Sequence, residues 1–197
     1  MKNEIPKGGV LLLYKPGGIT SHDAVAKVRR LYGTRSVGHT GTLDPMATGL
    51  LIMLVGRAVK ASDYVIAQDK IYDAEMKLGI MTDTADITGN ILSRSDDIPP
   101  RDEVISAAKS FVGRYMQVPP MYSAIKVDGK KLYELAREGK TVELEPRELF
   151  ISSIDIEGED DTYRMRVACS KGTYIRTLCE DIGKKLGCGA TMSALCR

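Results

Sequence analysis

Six consecutive apolar residues, Leu50-Leu51-Ile52-Met53-Leu54-Val55, follow directly on a run of turn formers, Gly38-His39-Thr40-Gly41-Thr42-Leu43-Asp44-Pro45-Met46-Ala47-Thr48-Gly49. This junction constrains the fold more than any other part of the chain. The apolar run predicts a buried strand. The three glycines of the preceding segment permit backbone conformations that a β carbon forbids, and Pro45 fixes its own φ while biasing Asp44 toward extended backbone. Together they predict a held loop, set against a strand, that presents Asp44. On composition alone, an ordinary surface connection with Asp44 capping a turn and His39 solvated is the favoured reading.

The rest of the chain reads as mixed strands and helices. Gly9 to Tyr14 predicts a first strand, stopped by Lys15-Pro16-Gly17-Gly18. Ser21 reads as an N-cap, followed by a helix with Val25, Val28 and Leu31 on one face and Gly33 at its end. Lys70 to Ile80 alternates in part, as a half-exposed strand does, and Thr82 to Asn90 is a polar loop. Pro99-Pro100 opens a helix through about Gly113, carrying Val104, Ile105, Ala108 and Phe111, and Pro119-Pro120 marks a further boundary. From there to residue 147 the chain reads as an inserted module, with a strand, an Asp128-Gly129 turn and a short helix at Leu132 to Arg137. Strands at 148–157 and 162–169 and a helix from Thr173 to Leu186, with Leu178, Ile182 and Leu186 inward, complete the pattern. Without regular βαβ alternation this predicts an α+β fold with a largely antiparallel sheet.

At 197 residues the chain suits one domain with an insertion. No apolar run approaches the roughly 20 residues of a membrane span, and Met1 to Gly8 lacks the apolar core of a signal peptide, so a cytoplasmic location is expected. Cys169, Cys179, Cys188 and Cys196 form no CxxC pair and lie far from His22 and His39, which argues for idle thiols rather than a metal site or disulfides. The formal charge of +2 hides an uneven distribution. Residues 1–60 carry a net of +6 and 162–197 a net of +5, while 69–103 carry −5. Two basic segments suit phosphate contacts on one face; they are equally well read as solvated surfaces.

Several blocks then fall in a telling order. GHTGTLDPMATGLL is followed by Lys70-Ile71-Tyr72, by Thr82-Asp83-Thr84-Ala85-Asp86 with Gly89, by Gln117-Val118-Pro119-Pro120-Met121-Tyr122-Ser123-Ala124-Ile125-Lys126, and by Ser170-Lys171-Gly172-Thr173-Tyr174-Ile175-Arg176-Thr177-Leu178. The set resembles the bacterial TruB family, the tRNA pseudouridine synthases that act on the T loop. The resemblance implies the pseudouridine synthase fold, a mixed and largely antiparallel sheet flanked by helices. Residues 1–197 would form the catalytic domain, incomplete at its C-terminus, with 119–147 as an inserted RNA-binding thumb and the family's C-terminal PUA-like domain absent.

The same resemblance implies roles. Asp44 is the catalytic carboxylate, acting at C1′ or on the 2′ proton of the ribose; Arg176 pairs with it, and Asp86 belongs to the same network. Tyr72 stacks on the flipped base, with Tyr174 near Arg176 in the same pocket. His39 contacts RNA beside that base, and Leu195 forms an apolar wall. Lys126, Lys130, Lys131 and Arg137 of the thumb are implied backbone contacts to the T stem-loop, although the module's six Lys/Arg and five Asp/Glu also suit a solvated face. No cofactor, metal, membrane, guide RNA or accessory protein is implied, and a monomer is expected. The final block departs from the family pattern, with Thr191 and Cys196 where His and Arg are usual. Two other functions fit the same residues: an RNA-binding or folding module with little turnover, and a guide-dependent synthase of the dyskerin type, which shares the Asp loop.

Overall fold

Residues 8–127 and 129–197 are described by the computed structural model, and the chain divides into two units, Met1–Gln68 with Leu195–Arg197, and Asp69–Ala194.

In the smaller unit, β1 (Gly9–Lys15), β2 (Val37–His39) and β3 (Gly49–Val55) form a sheet in the order β1-β3-β2, with α1 (Ser21–Tyr32) between the first two strands in sequence. The predicted apolar run is the central strand. Its register is antiparallel on both sides, Gly9 to Lys15 facing Val55 to Gly49 and Val37 to His39 facing Val55 to Met53. Leu51, Met53, Leu54 and Val55 are buried, as are Ala24, Val25 and Val28 of α1. Each of these leucine, methionine and valine side chains contributes roughly 1.5–3 kcal/mol on burial. A 3-10 turn (Gly56–Ala61) leads into α2 (Ser62–Ile66).

Two details of α1 correct the sequence reading. The N-cap is Thr20, in a reciprocal capping box with Asp23, and Ser21 lies inside the helix with its hydroxyl turned inward. Leu31 is 62% exposed, because the buried face is narrow and ends at Val28.

The larger unit is built on β4 (Lys70–Leu78), β7 (Gly113–Gln117), β10 (Arg147–Glu159), β11 (Thr162–Cys169) and β12 (Ala190–Cys196), in the order β12-β4-β11-β10-β7; β12 runs on into the residues assigned to the smaller unit. Neighbours β4, β11, β10 and β7 pair antiparallel. One face, with Ala74, Met76, Leu78, Ile151, Ile154, Tyr163, Met165 and Val167, is buried, together with residues of α3 (Arg101–Lys109) and α5 (Ile175–Leu186). The other face is a charged ladder in which Arg166 lies 3.2 Å from Asp73 and Arg164 lies 3.7 Å from Glu75. Two small hairpins complete the unit: β5 (Ile80–Thr82) with β6 (Ile91–Arg94), and β8 (Lys126–Val127) with β9 (Lys130–Lys131), the latter followed by α4 (Leu132–Arg137).

The strands near 148–157 and 162–169, the short helix at 132–137 and the polar loop after Thr82 stand where the sequence placed them. Asp128 of the expected Asp-Gly turn lies outside the described residues. The helix after Pro99-Pro100 stops at Lys109 rather than Gly113. Beyond it, Tyr115 and Gln117 alternate with exposed neighbours and form β7, and the Phe111 ring meets Tyr115 edge-on at 5.2 Å. The final helix begins at Ile175 rather than Thr173, with Leu178 and Ile182 fully buried and Leu186 only half-buried. No helix is long and apolar enough to cross a membrane among the described residues.

Candidate active site

In the smaller unit, the loop that carries Asp44 is pinned by three separate segments. Ser21 Oγ accepts from Leu43 N–H at 2.9 Å and donates to Leu43 O at 3.1 Å, so one buried hydroxyl satisfies both main-chain groups of the preceding residue. Lys15, fully buried at the end of β1, donates to the carbonyls of Pro16 (2.9 Å), Ile19 (2.8 Å) and Pro45 (3.2 Å), and Gly18 N–H adds a second bond to Pro45 O. Burial holds the Lys15 ammonium below its ordinary pKa, and the negative charge of Asp44 opposes that shift.

The third segment is Leu195–Arg197. Thr48 N–H donates to Leu195 O, Arg197 N–H to Thr48 O, and Leu50 N–H to Arg197 O. The Arg197 guanidinium reaches Gly41 O at 3.1 Å and Leu50 O at 2.9 Å, thereby holding both shoulders of the loop. Gly49 has φ +105°, and a β carbon there would lie 2.4 Å from Arg197 O, so only glycine admits this approach. Leu43 and Ala47 are buried, while Asp44 between them is half-buried. A backbone fixed on both sides of a carboxylate holds it in one place with little entropy left to lose.

His39 and Leu195 also belong to this unit. Leu195 is 8% exposed. The His39 imidazole is held below its ordinary pKa, chiefly by burial and then by the positive charge of Arg197, against a smaller opposing effect of the Gly41 backbone. It is therefore neutral at physiological pH and offers a hydrogen-bonding ring rather than a cation.

In the larger unit, Arg176 and Asp86 come together. Arg176, in the first turn of α5, is 4% exposed; Nη1 donates to Thr84 O at 3.0 Å and lies 3.8 Å from Asp86 Oδ2, and Nη2 donates to Tyr122 O at 2.9 Å. A cation at a helix N-terminus opposes the helix dipole, and these oxygens offset that cost. Asp86 Oδ1 in turn accepts from Thr84 Oγ1 at 3.0 Å and from Thr88 N–H at 3.0 Å. The Asp86 loop docks on β12, with Ile87 N–H donating to Met192 O and Met192 N–H to Ala85 O. Thr82 donates its hydroxyl proton to Asp86 O at 2.7 Å, so Thr191, fully buried and 3.1 Å from Thr82 Oγ1, is the donor in that pair. The departure from the family pattern at 191 thus has a structural partner.

Tyr72 is half-buried on β4, opposite Val167 and on the sheet face that carries Ala74 and Met76. Tyr174 is half-buried and is the N-cap of α5. Of the four thumb cations, Lys126 is exposed on β8, Lys130 lies 3.7 Å from Glu138, and Lys131 and Arg137 stack on the Tyr133 ring at 5.3 and 5.4 Å. These last three have intramolecular partners that the sequence did not indicate. Burial pushes the Cys179 thiol up to about 12 and raises those of Cys169 and Cys188, so none of the three is a thiolate near neutrality. Among the described residues no group of three or more His, Cys, Asp or Glu side chains is arranged to hold a metal ion.

Sequence reasoning missed Lys15 and Arg197 and took Ser21 for a cap. The Lys-Pro-Gly-Gly context of Lys15 was the one available hint, a cation closing an apolar strand.

In sequence and fold the chain is similar to pseudouridine synthases. The sequence profile of the TruB family pseudouridylate synthase N-terminal domain matches residues 29–175, and that of the tRNA pseudouridylate synthase B C-terminal domain matches 176–197. The chain belongs to the TruB family. It is 54% identical over 185 residues to tRNA pseudouridine synthase B of Clostridium novyi (strain NT), covering 93% of this chain and 64% of that protein. It is 50% identical over 190 residues to the enzyme of the same name from Clostridium acetobutylicum, covering 96% and 66%. The chain therefore spans roughly two thirds of the length of the curated relatives it matches. A crystal structure of a Cbf5-Nop10-Gar1 complex contains a chain of similar fold, with a TM-score of 0.75 and 31% identity, covering 97% of this chain and 48% of that one. The expected fold class, a mixed and largely antiparallel pseudouridine synthase fold, is borne out.

Proposed function

We propose that this chain isomerises uridine 55 in the T loop of tRNA to pseudouridine. The N1–C1′ bond breaks, the uracil turns within the site, C5 joins C1′, and the C5 proton leaves while N1 gains one. Electrons and atoms balance within the nucleoside, so the reaction calls for no redox partner or cofactor. Asp44 acts beside the ribose, as nucleophile at C1′ or as base for the 2′ proton. Arg176, oriented by Thr84 O, Tyr122 O and Asp86, keeps that carboxylate ionised as water is expelled. Tyr72 stacks on the extruded base, recovering part of the cost, about a few kcal/mol, of unstacking it. Tyr174 and Leu195 line the base pocket, and neutral His39 hydrogen-bonds the RNA beside it.

Residues 119–147 serve as an inserted clasp on the T stem-loop, reading shape and phosphates through Lys126, Lys130, Lys131 and Arg137. The chain acts on tRNA as a monomer in the cytoplasm, without guide RNA or accessory protein.

The observation that carries this reading is the Asp44 loop, whose flanks are fixed by Ser21, Lys15 and Arg197 so that the one carboxylate between them stands on rigid backbone. The test is tritium release from C5-tritiated tRNA, and from a bare T stem-loop, by the wild-type chain and by Asp44→Asn. Release that disappears in the variant is expected. Tight binding without release from either RNA refutes the enzyme and leaves an RNA-binding module.

A further inference from the structure

Gln117, at the end of β7, is 1% exposed, and its side chain does not join the sheet. Its Oε1 accepts from Tyr174 N–H at 2.9 Å and its Nε2 donates to Tyr174 O at 3.0 Å, so the amide closes a two-bond ring with the main chain of that residue. The same Nε2 lies 3.3 Å from Tyr115 Oη, whose hydroxyl donates to Asp181 on α5. Tyr174 is the N-cap of α5 and has no cap from its own side chain. Gln117 instead holds, from another element, both main-chain groups of this N-cap residue, two residues before Arg176.

The chain leaving Gln117 also reaches the tip of the same arginine. It runs through Val118-Pro119-Pro120-Met121 to Tyr122, whose carbonyl accepts from Arg176 Nη2 at 2.9 Å. Each residue preceding a proline is pushed to extended backbone, and each proline fixes its own φ, so this short span is stiff. One segment therefore sets both ends of Arg176, its main chain through the Gln117 amide and its guanidinium through the Tyr122 carbonyl. The main chain of Gln117 is itself anchored opposite Arg147 in the sheet.

We propose that Gln117 is a positioning residue for Arg176, holding the start of α5 so that the guanidinium points where the proposed isomerisation needs it; this role rests on that reading of the function. Only an amide, or a protonated carboxyl, presents one donor and one acceptor at this spacing. Methionine matches its length and offers neither.

The test compares Gln117→Met and Gln117→Glu with the wild type. Amide hydrogen exchange reads the clamp directly: Tyr174 N–H should exchange about tenfold faster in Q117M, as expected for one lost hydrogen bond, with the core of β11 unchanged. In the tritium-release assay Q117M should lose about 100-fold in kcat with KM held within about threefold, the size of effect that a misplacement of about 1 Å produces. Q117E should resemble Q117M at high pH and recover as pH falls, because the protonated carboxyl restores both bonds; the Q117M deficit should not change with pH. The proposal is overturned if Tyr174 exchange in Q117M matches wild type, or if it quickens while kcat holds. A wild-type chain without tritium release refutes the proposed function, and the exchange measurement then still decides whether Gln117 holds Tyr174.

Discussion

Replacing Ser21 by Ala separates a helix cap from a support of the acidic loop. A cap here would resemble Thr20, whose loss costs about 1 kcal/mol of helix stability. Ser21 is different: it is 3% exposed, and its hydroxyl is bonded to both Leu43 N–H and Leu43 O. Removing it leaves two buried main-chain groups unsatisfied at about 1–3 kcal/mol each, of which partial rehydration recovers some. Alanine's better helix propensity offsets about 0.5 kcal/mol, for an expected net loss of about 2–3 kcal/mol. Because Asp44 follows Leu43 directly, kcat should also fall, by about 10- to 100-fold. Urea unfolding of S21A and of Thr20→Ala, with midpoints compared at unchanged m, gives the stabilities, and tritium release gives the rates. The reasoning is refuted if S21A costs no more than T20A, or if it loses stability while kcat is retained.

Lys15→Met should lower stability by roughly 2–4 kcal/mol, since three carbonyls lose a charged donor while the cost of burying the ammonium is removed; chemical denaturation measures this. Protonation of His39 should oppose folding. Its folded pKa lies below the unfolded 6.5, so within that window the unfolded chain binds more protons; stability is full above pH 6.5 and falls as pH drops toward the folded value. Melting curves of wild type and His39→Gln between pH 5 and 8 should diverge on the acid side, and parallel curves would refute the assignment.

Much of the fold was legible because period and punctuation agreed. The run at 50–55, the paired strands at 148–157 and 162–169 and the helix at 132–137 each combine a clear apolar pattern with turn residues at both ends. The helix was drawn too long, to about Gly113, because Phe111 continues the spacing of Val104 and Ala108, and β7 beyond it went unread. β12 was invisible because Ala190, Thr191 and Met192 are all buried, which erases the alternation by which a strand is read. Of the candidate residues, Asp44, Asp86 and Arg176 lie in contiguous motifs whose family resemblance pointed to them. The bonds that Lys15, Ser21, Gln117 and Arg197 make were not legible, for a common physical reason: each reaches a main-chain group 22 to 156 positions away, and no residue pattern marks a bond to a remote backbone.

The tie between Leu195–Arg197 and residues 41–50 also bears on the order of folding. Its bonds close loops of 147 to 156 residues, so among the described residues they carry the largest closure entropies and form late. During synthesis Asp44 leaves the ribosome long before Arg197 exists to hold Gly41 and Leu50. The nascent chain therefore has only Lys15, Gly18 and Ser21 to hold its acidic loop, and the third tie, at Gly41, Thr48 and Leu50, is added once residues 195–197 have joined it.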